Sequence, residues 1–339
     1  MRDGSTEALR ARKDCAMEHA SIPMFHLRAE SIPEAFYKAV EAVWRGGAEI
    51  RTQYDRKDAS GAWIDPPSRD ATVAIEIADP FADPRYPAIA FSETGKYIAE
   101  IMGAKDHLVM PYAELKELIR TGAHAEAKRW PYTYSQRLRA YPLPDGGAID
   151  QIDLAIDRLR RDHTTRRAVM TTRVPDIDCY LADDIPCLGE VHLRCQEEGA
   201  GLVLHMTTYW RSRDLYKAWC DNVVALTFMQ QAIARELERR AGRSVRVGMY
   251  KDVSTSLHIY GQDAKHLAGD GGKVKPFLER HDCAGFKAMS MTSAFAAEML
   301  VLPQLARLLE EEDTWHFTAA SKAVIRDLID GIGSGRYAA

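Results

Sequence analysis

The 339 residues, 46% hydrophobic and 28% charged, describe a globular chain with apolar material for one large core or two ordinary ones. A net charge of −4 gives no basic signature, which argues against general nucleic acid binding; local arginines still suit a small anionic substrate. The first twenty residues carry charges throughout and do not read as a secretory signal, and no run approaches the ~18 apolar residues of a membrane span. Six cysteines (Cys15, Cys179, Cys187, Cys195, Cys220, Cys283) are scattered without a CxxC pair, the pattern of reduced thiols in a cytoplasm and not of disulfides or a zinc site.

In chain order, residues 1–30 read as a loosely packed lead-in. Residues 31–47 have helical apolar spacing and stop at Gly46-Gly47. DATVAIEIADP (70–80) alternates as a strand, and SETGKYIAEIMG (92–103) reads as a helix begun by Ser92 and closed near Gly103. Residues 147–173 combine a helix with a following strand. Residues 191–212 form two alternating runs about EEGAG, a hairpin. Residues 222–242 are the strongest helix, closed by Gly242, and 245–260 return to strand character. The region 265–339 is mainly helical. The sum is α+β, with no visible place to divide residues 1–339 into domains.

Arg69, the pair Arg166-Arg167, and Arg211-Ser212 are groups whose planar forks and hydroxyl suit phosphate oxygens, although each alone reads as a solvated charge. Cys187, after Pro186, becomes a nucleophile only as thiolate; a lone cysteine is more often buried and inert. Cys195 and Cys220 fit that inert reading. His258 and Tyr260 alternate on a strand and share a face, suited to a sugar hydroxyl or to a hydrogen-bonded core. Asn222 precedes an apolar helix as an N-cap or, with its paired donor and acceptor, as a reader of a heterocycle's edge.

The order Arg-Arg, Pro-Cys, RSRDLYKAWCDN, HIY, running from about Arg69 to Asp263, resembles that of the thymidylate synthase and pyrimidine nucleotide hydroxymethylase family. The resemblance implies a thymidylate synthase-like α+β fold with a large mixed β-sheet and flanking helices. It implies that Cys187 attacks C6 of a pyrimidine nucleotide, so that C5 accepts a one-carbon unit from 5,10-methylenetetrahydrofolate, without a metal. Arg69, Arg211 and Ser212 then bind the 5′-phosphate, with Arg166 and Arg167 reaching across a homodimer. Asn222 reads the base, His258 and Tyr260 the ribose, and Asp214 the folate. Tyr134, in WPYTYSQRLRAY, matches the tyrosine near the nucleophile. Glu100, in YIAEIMG, matches the glutamate that orders catalytic water, with Glu114 or Glu117 as alternatives.

Leu188 stands where synthases carry histidine, Trp210 where they carry glutamine, and Cys220-Asp221 where they carry Pro-Phe; neither a tryptophan-rich screen nor a closing tail is recognisable. These departures favour water over hydride as the final reagent. The chain most resembles the antibiotic-pathway branch that makes 5-hydroxymethylcytidine monophosphate from CMP. Asn222, where phage deoxycytidylate enzymes carry aspartate, leaves cytosine and uracil open, and no motif reports on the ribose 2′ position. The rival readings are a thymidylate synthase or (d)UMP hydroxymethylase, a cysteine hydrolase using Cys187 and His192, and a non-catalytic nucleotide- or RNA-binding homologue.

Overall fold

The computed structural model describes residues 21–88, 93–122, 129–181, 185–265 and 274–338. Its strands are β1 (Met24–Ala29), β2 (Ala48–Ile50), β3 (Ser68–Ile77), β4 (Tyr86–Pro87), β5 (Tyr141–Pro142), β6 (Ala148–Ile149), β7 (Val169–Thr171), β8 (Leu188–Glu198), β9 (Gly201–Trp210), β10 (Arg213–Asp214), β11 (Val245–Ile259) and β12 (Ser290–Met291). Eight of them form one sheet in the order β1-β3-β11-β9-β8-β7, with β2 added to β3 and β10 to β11. It is mixed: β1–β3, β9–β11 and β10–β11 are parallel, and the other neighbours antiparallel. The expected α+β fold with a large mixed sheet is therefore what the chain adopts.

The hairpin β8–β9 joins the two alternating runs as expected. The part of the lead-in that is described departs from expectation. Met24–Ala29 is an edge strand, its backbone bound in register to Thr72–Ile77. Cys15 and Ser92 lie outside the described residues. The helix Thr94–Ile101 has Glu93 at its N-cap position, without a side-chain cap.

The long helix Trp219–Ala241 closes at Gly242, whose φ of 67° is the left-handed C-cap conformation that glycine adopts without a Cβ clash. Its first half, Trp219 to Gln230, is buried all round, because β9 and β11 pack on one side and the helices Thr94–Ile101, Gln151–Arg161 and Ile32–Gly46 on others. Phe36 stacks on Trp219 with ring centroids 6.2 Å apart, and Tyr37 stacks on Phe277 at 4.8 Å. Fully burying rings of this size makes such clusters a dominant stabilising contact.

The C-terminal region is helical as expected, with Val274–Ala288, Leu302–Glu310 and Ala319–Gly333 its longest helices. It is also tied to the sheet domain: β12 pairs with β4, and Val274, Phe277, Val301, Leu305 and Leu308 join the main core. The buried Arg85 donates to the carbonyl of Ala338 at 2.8 Å and to Thr227 Oγ1 at 2.8 Å, which seats the last described residues on the long helix. Among the described residues no helix is long and apolar enough to cross a membrane.

Candidate active site

Four strand ends meet at one edge of the sheet. β8 begins at Leu188, opposite Trp210 at the end of β9, while the end of β11 lies against the start of β3 and against β10. Every strand end presents the residue beyond it, so side chains far apart in sequence gather here. Gly261 makes this possible after β11: a Cβ there would fall 1.7 Å from the carbonyl oxygen of Pro66, so only glycine lets the chain pass the loop before β3.

Cys187 stands one residue before β8 and is half-buried. Its carbonyl accepts the Arg211 N–H at 2.9 Å. The Arg211 guanidinium donates to the carbonyls of Pro186 and Ile185 at 3.1 and 2.8 Å, so this arginine braces the segment that carries the thiol. The Tyr134 hydroxyl accepts the Leu188 N–H at 3.3 Å, and its ring meets Trp210 edge-on at 5.8 Å. Burial first, then the neighbouring Cys187, holds the Tyr134 phenol well above its usual range.

Tyr260 follows the end of β11 and lies near enough to Cys187 for the two to interact electrostatically. Its phenol is pushed up to about 12 by burial, with further contributions from Asp214, Tyr54 and Cys187. The His258 and Tyr260 rings are 4.4 Å apart, as their shared face predicts. His258 is buried; burial depresses its basicity and keeps the ring neutral, and Nδ1 is 3.2 Å from Ser256 Oγ while Nε2 makes no hydrogen bond. Asp214, paired with His258 across β10–β11, accepts the N–H groups of Tyr216 and Lys217 at 2.9 Å each. Burial raises its carboxyl to about 6.

Asn222 is not an N-cap: the helix begins at Trp219, and the Asn222 N–H donates to Ala218 one turn back. Its side chain is buried, and Oδ1 accepts from Arg213 Nε at 3.1 Å. Asp221 turns away from it, accepting Thr94 Oγ1 at 2.5 Å. Glu100 shares the helix Thr94–Ile101 with Tyr97, whose phenol is held far above its usual range by burial, then by Tyr134 and Glu100. Burial raises the Glu100 carboxyl, opposed by Lys105, whose Nζ is 3.2 Å from Oε2. The alternative Glu117 is taken up by Arg120 on its own exposed helix face, and Glu114 meets exposed Arg129 at 3.4 Å.

Three predicted phosphate ligands are elsewhere. Arg69 pairs with Ile259 in the sheet, so it faces away from His258, and its guanidinium meets Glu49 at 2.6 Å and the Trp44 ring at 5.8 Å. One residue of strand register decides this, because successive side chains point to opposite faces. Arg166 and Arg167 are exposed before β7. Ala168 O accepts the Leu193 N–H, placing that turn five residues along β8 from Leu188, about 17 Å from the thiol end. Cys195 and Cys220 match the inert reading, burial raising the first to about 11 and the second well above its usual range.

Sequence reasoning missed Arg213. Its side chain is 1% exposed, ion-paired with Asp252, and lies 3.8 Å from the centre of the Trp210 ring. An arginine in RSRD carries no sign of burial, and only the β10–β11 pairing turns it inward. Trp210 is equally committed, its indole N–H donating to Thr208 Oγ1 at 3.0 Å. Among the described residues no group of three His, Cys, Asp or Glu side chains is placed to hold a metal.

The pattern of the family described as "Thymidylate synthase" matches residues 121–281. A protein of Methanocaldococcus jannaschii, named "Putative thymidylate synthase", is 33% identical over 241 residues, 70% of this chain and 91% of that protein. Its namesake in Methanosarcina acetivorans is 30% identical over 238 residues, covering 70% and 90%. That of Methanothermobacter marburgensis is 36% identical over 149 residues, 43% of this chain and 60% of the relative. With this coverage of both sequences and a cysteine, tyrosine and asparagine converging at one sheet edge, the chain belongs to the thymidylate synthase family.

Proposed function

We propose that this protein transfers a one-carbon unit to C5 of a pyrimidine nucleoside monophosphate and releases a hydroxymethyl product, with CMP or dCMP as the substrate. The observation that supports the reading is that Cys187, on the segment braced by Arg211 and by the Tyr134 hydroxyl, lies near enough to Tyr134 and Tyr260 to raise both phenols, at a sheet end that also holds Asn222 and Asp214. A thiolate adding to C6 needs the base held flat beside it, and Asn222, with Oδ1 engaged by Arg213, offers its amide N–H to N3 of cytosine or O4 of uracil. The choice of CMP rests on the likeness to the antibiotic branch.

Methylenetetrahydrofolate suits the remaining side: Asp214 is half-buried and backbone-held, and Asp263 Oδ2 is buried without a donor among the described residues, so two acceptors suit the N–H edge of a pterin. When bound, the folate supplies the one-carbon unit. Cys187 carries the base as a C6 adduct, Glu100 accepts and returns protons, and Tyr134 orders the backbone beside the thiol. Arg211 and Ser212 offer donors to the phosphate. Arg166 and Arg167, exposed and far from their own Cys187, are read as serving the site of a second subunit in a homodimer, and the setting is cytoplasmic.

Two features favour water as the final reagent. Trp210, at the glutamine position, spends its polar atom on Thr208. The residues Tyr337 and Ala338 lie against Phe228 and Gln231, six and nine residues beyond Asn222 and so roughly 9–14 Å along the helix. Mass spectrometry of CMP, dCMP, UMP and dUMP after incubation with the protein and methylenetetrahydrofolate tests the reading. A gain of about 30 mass units (CH2O) on CMP or dCMP is expected, whereas about 14 units (CH2) with dihydrofolate identifies a thymidylate synthase instead. No mass change on any nucleotide overturns one-carbon transfer altogether.

A further inference from the structure

Lys105 is 6% exposed and, among the described residues, has one carboxylate within reach, Glu100 Oε2 at 3.2 Å. The rest of its surroundings is aromatic. Nζ lies 4.5 Å from the centre of the Trp315 ring and 5.3 Å from that of Trp130, and the two indoles meet edge-on at 6.3 Å. Trp130 comes from the segment before Tyr134, its backbone bonded to Leu108 and Met110. Trp315 comes from the far end of the chain.

His107 clips that end in place. Its Nε2 donates to the Trp315 carbonyl at 2.9 Å, and Nδ1 accepts from Ser321 Oγ at 3.0 Å, so both ring nitrogens are spent on the C-terminal region. Phe317 packs edge-on against His107 at 5.6 Å and stacks on Trp315 at 6.4 Å. The Trp315 indole N–H donates to Glu311 Oε2 at 3.1 Å, which fixes the ring's tilt. A segment so pinned forms a wall.

We infer that Lys105, walled by Trp130 and by Trp315 of the C-terminal region, is a positioning residue that holds Glu100 as a carboxylate, ready to take a proton from water. The inference rests on the proposed one-carbon transfer for the identity of the acceptor. In the step it serves, the oxygen of water bonds to the exocyclic methylene carbon of the base, and its proton passes to Glu100. The methylene C=C electrons return to the ring as the C5=C6 bond, while the C6–S bond breaks and restores the Cys187 thiolate. Atoms and electrons balance without an oxidant or reductant.

The groups facing Glu100 are few. Burial favours its neutral form, Asp106 adds to that, and among the described residues Lys105 opposes them. Tyr97, on the same helix, stays a neutral phenol. A half-buried carboxylate deprived of its counter-ion takes up a proton more readily, so the charge of Glu100 depends on Lys105. Indole faces are the walls that suit this, since they stabilise an ammonium ion without offering a competing anion.

The test is a 13C NMR titration of the Glu100 carboxyl in the full chain, alongside the pH profile of turnover. Lys105→Met is expected to raise the midpoint by about one unit or more and to slow turnover at neutral pH roughly tenfold, with nucleotide affinity unchanged. Lys105→Arg restores most of the shift. Trp315→Ala, which opens the wall to water, moves the midpoint the other way, towards that of an exposed glutamate. An unmoved midpoint in Lys105→Met overturns the inference; if that variant does not fold, an unmoved or raised midpoint in Trp315→Ala does so. The titration needs no turnover. Shifted midpoints in a protein that modifies no nucleotide therefore uphold the Lys105–Glu100 dependence and overturn the proposed function, and active enzyme with unmoved midpoints does the reverse.

Discussion

Arg213 donates its Nε–H to Asn222 Oδ1 across 3.1 Å, and this bond decides which atom of the amide a ligand meets. Arginine has no acceptor, so the atom facing it is the carbonyl oxygen, and the amide nitrogen is left for the base. Asn222→Asp exchanges that donor for an acceptor. Uracil O4 then faces like polarity while the cytosine amino group gains a partner. We expect relative affinity to swing towards cytosine nucleotides by roughly tenfold to a hundredfold, about 1.5–3 kcal/mol, in isothermal titration of UMP against CMP. An unchanged ratio would remove Asn222 from base reading.

Cys187→Ser should abolish turnover and retain nucleotide binding; retained turnover sinks the covalent mechanism. Arg211→Ala should weaken nucleotide binding about tenfold or more while nucleoside binding changes less, because a charged hydrogen bond is worth ~1.5–3 kcal/mol. Since the same guanidinium braces Ile185 and Pro186, some loss on the nucleoside is also expected. Equal losses on both ligands would assign Arg211 to bracing alone.

The carboxyl of Asp214 titrates near 6 in the folded chain, against 3.8 for an ordinary aspartate, with burial as the main cause. The folded state therefore binds the proton more tightly than the unfolded one. Stability from this group is full below pH 4 and is lost as pH rises through 6, a difference on the order of 1–3 kcal/mol. Asp214→Asn should stabilise the protein at pH 8 and change little at pH 4, as read by urea unfolding. A gain of equal size at both pH values would refute the raised carboxyl.

Ser256 has one hydroxyl hydrogen, and Asp70 Oδ2 accepts it at 2.6 Å. His258 Nδ1, 3.2 Å from Ser256 Oγ, must then be the donor, leaving Nε2 as a buried lone pair without a partner among the described residues. A sugar hydroxyl would complete the set. Ser256→Ala should release the tautomer, visible in 15N NMR of the imidazole, and weaken nucleotide binding about tenfold, with a smaller effect on a 3′-deoxynucleotide. An unchanged imidazole spectrum would show that Ser256 does not set the ring.

Mixing Cys187→Ser with an Arg166→Ala/Arg167→Ala double variant tests whether those arginines act across subunits. Each protein alone should be inactive or severely impaired. Random reassortment makes half the dimers mixed, each with one intact site, so about one quarter of wild-type activity should return. Activity that fails to exceed the sum of the separate variants would confine Arg166 and Arg167 to another role.

Most of the fold was legible along the chain. The hairpin of residues 191–212, the helix closed by Gly242 and the strand 245–260 each carry their own periodicity and stop signal, which are local properties. The edge strand Met24–Ala29 was not, because MFHLRA alternates too weakly to be told from a lead-in until β3 supplies its hydrogen bonds. At the site, Cys187, Tyr134, Asn222, His258 and Tyr260 were legible from motif order. Arg69 was misplaced, because the sign of strand register is invisible in SRDATV.

What the sequence by itself determined, then, is the set of secondary elements and the list of reactive side chains, since periodicity, capping residues and chemical type are written locally. Tertiary structure alone decided which of those side chains meet. Only sheet order brings Cys187, Asp214 and Tyr260 together, and only register turns Arg213 inward and Arg69 outward. Lys105 becomes a buried cation beside Glu100 because Trp315, over two hundred residues away, is folded against it. The physical reason is that burial and strand pairing are relations between distant segments, and they set charge, orientation and access together.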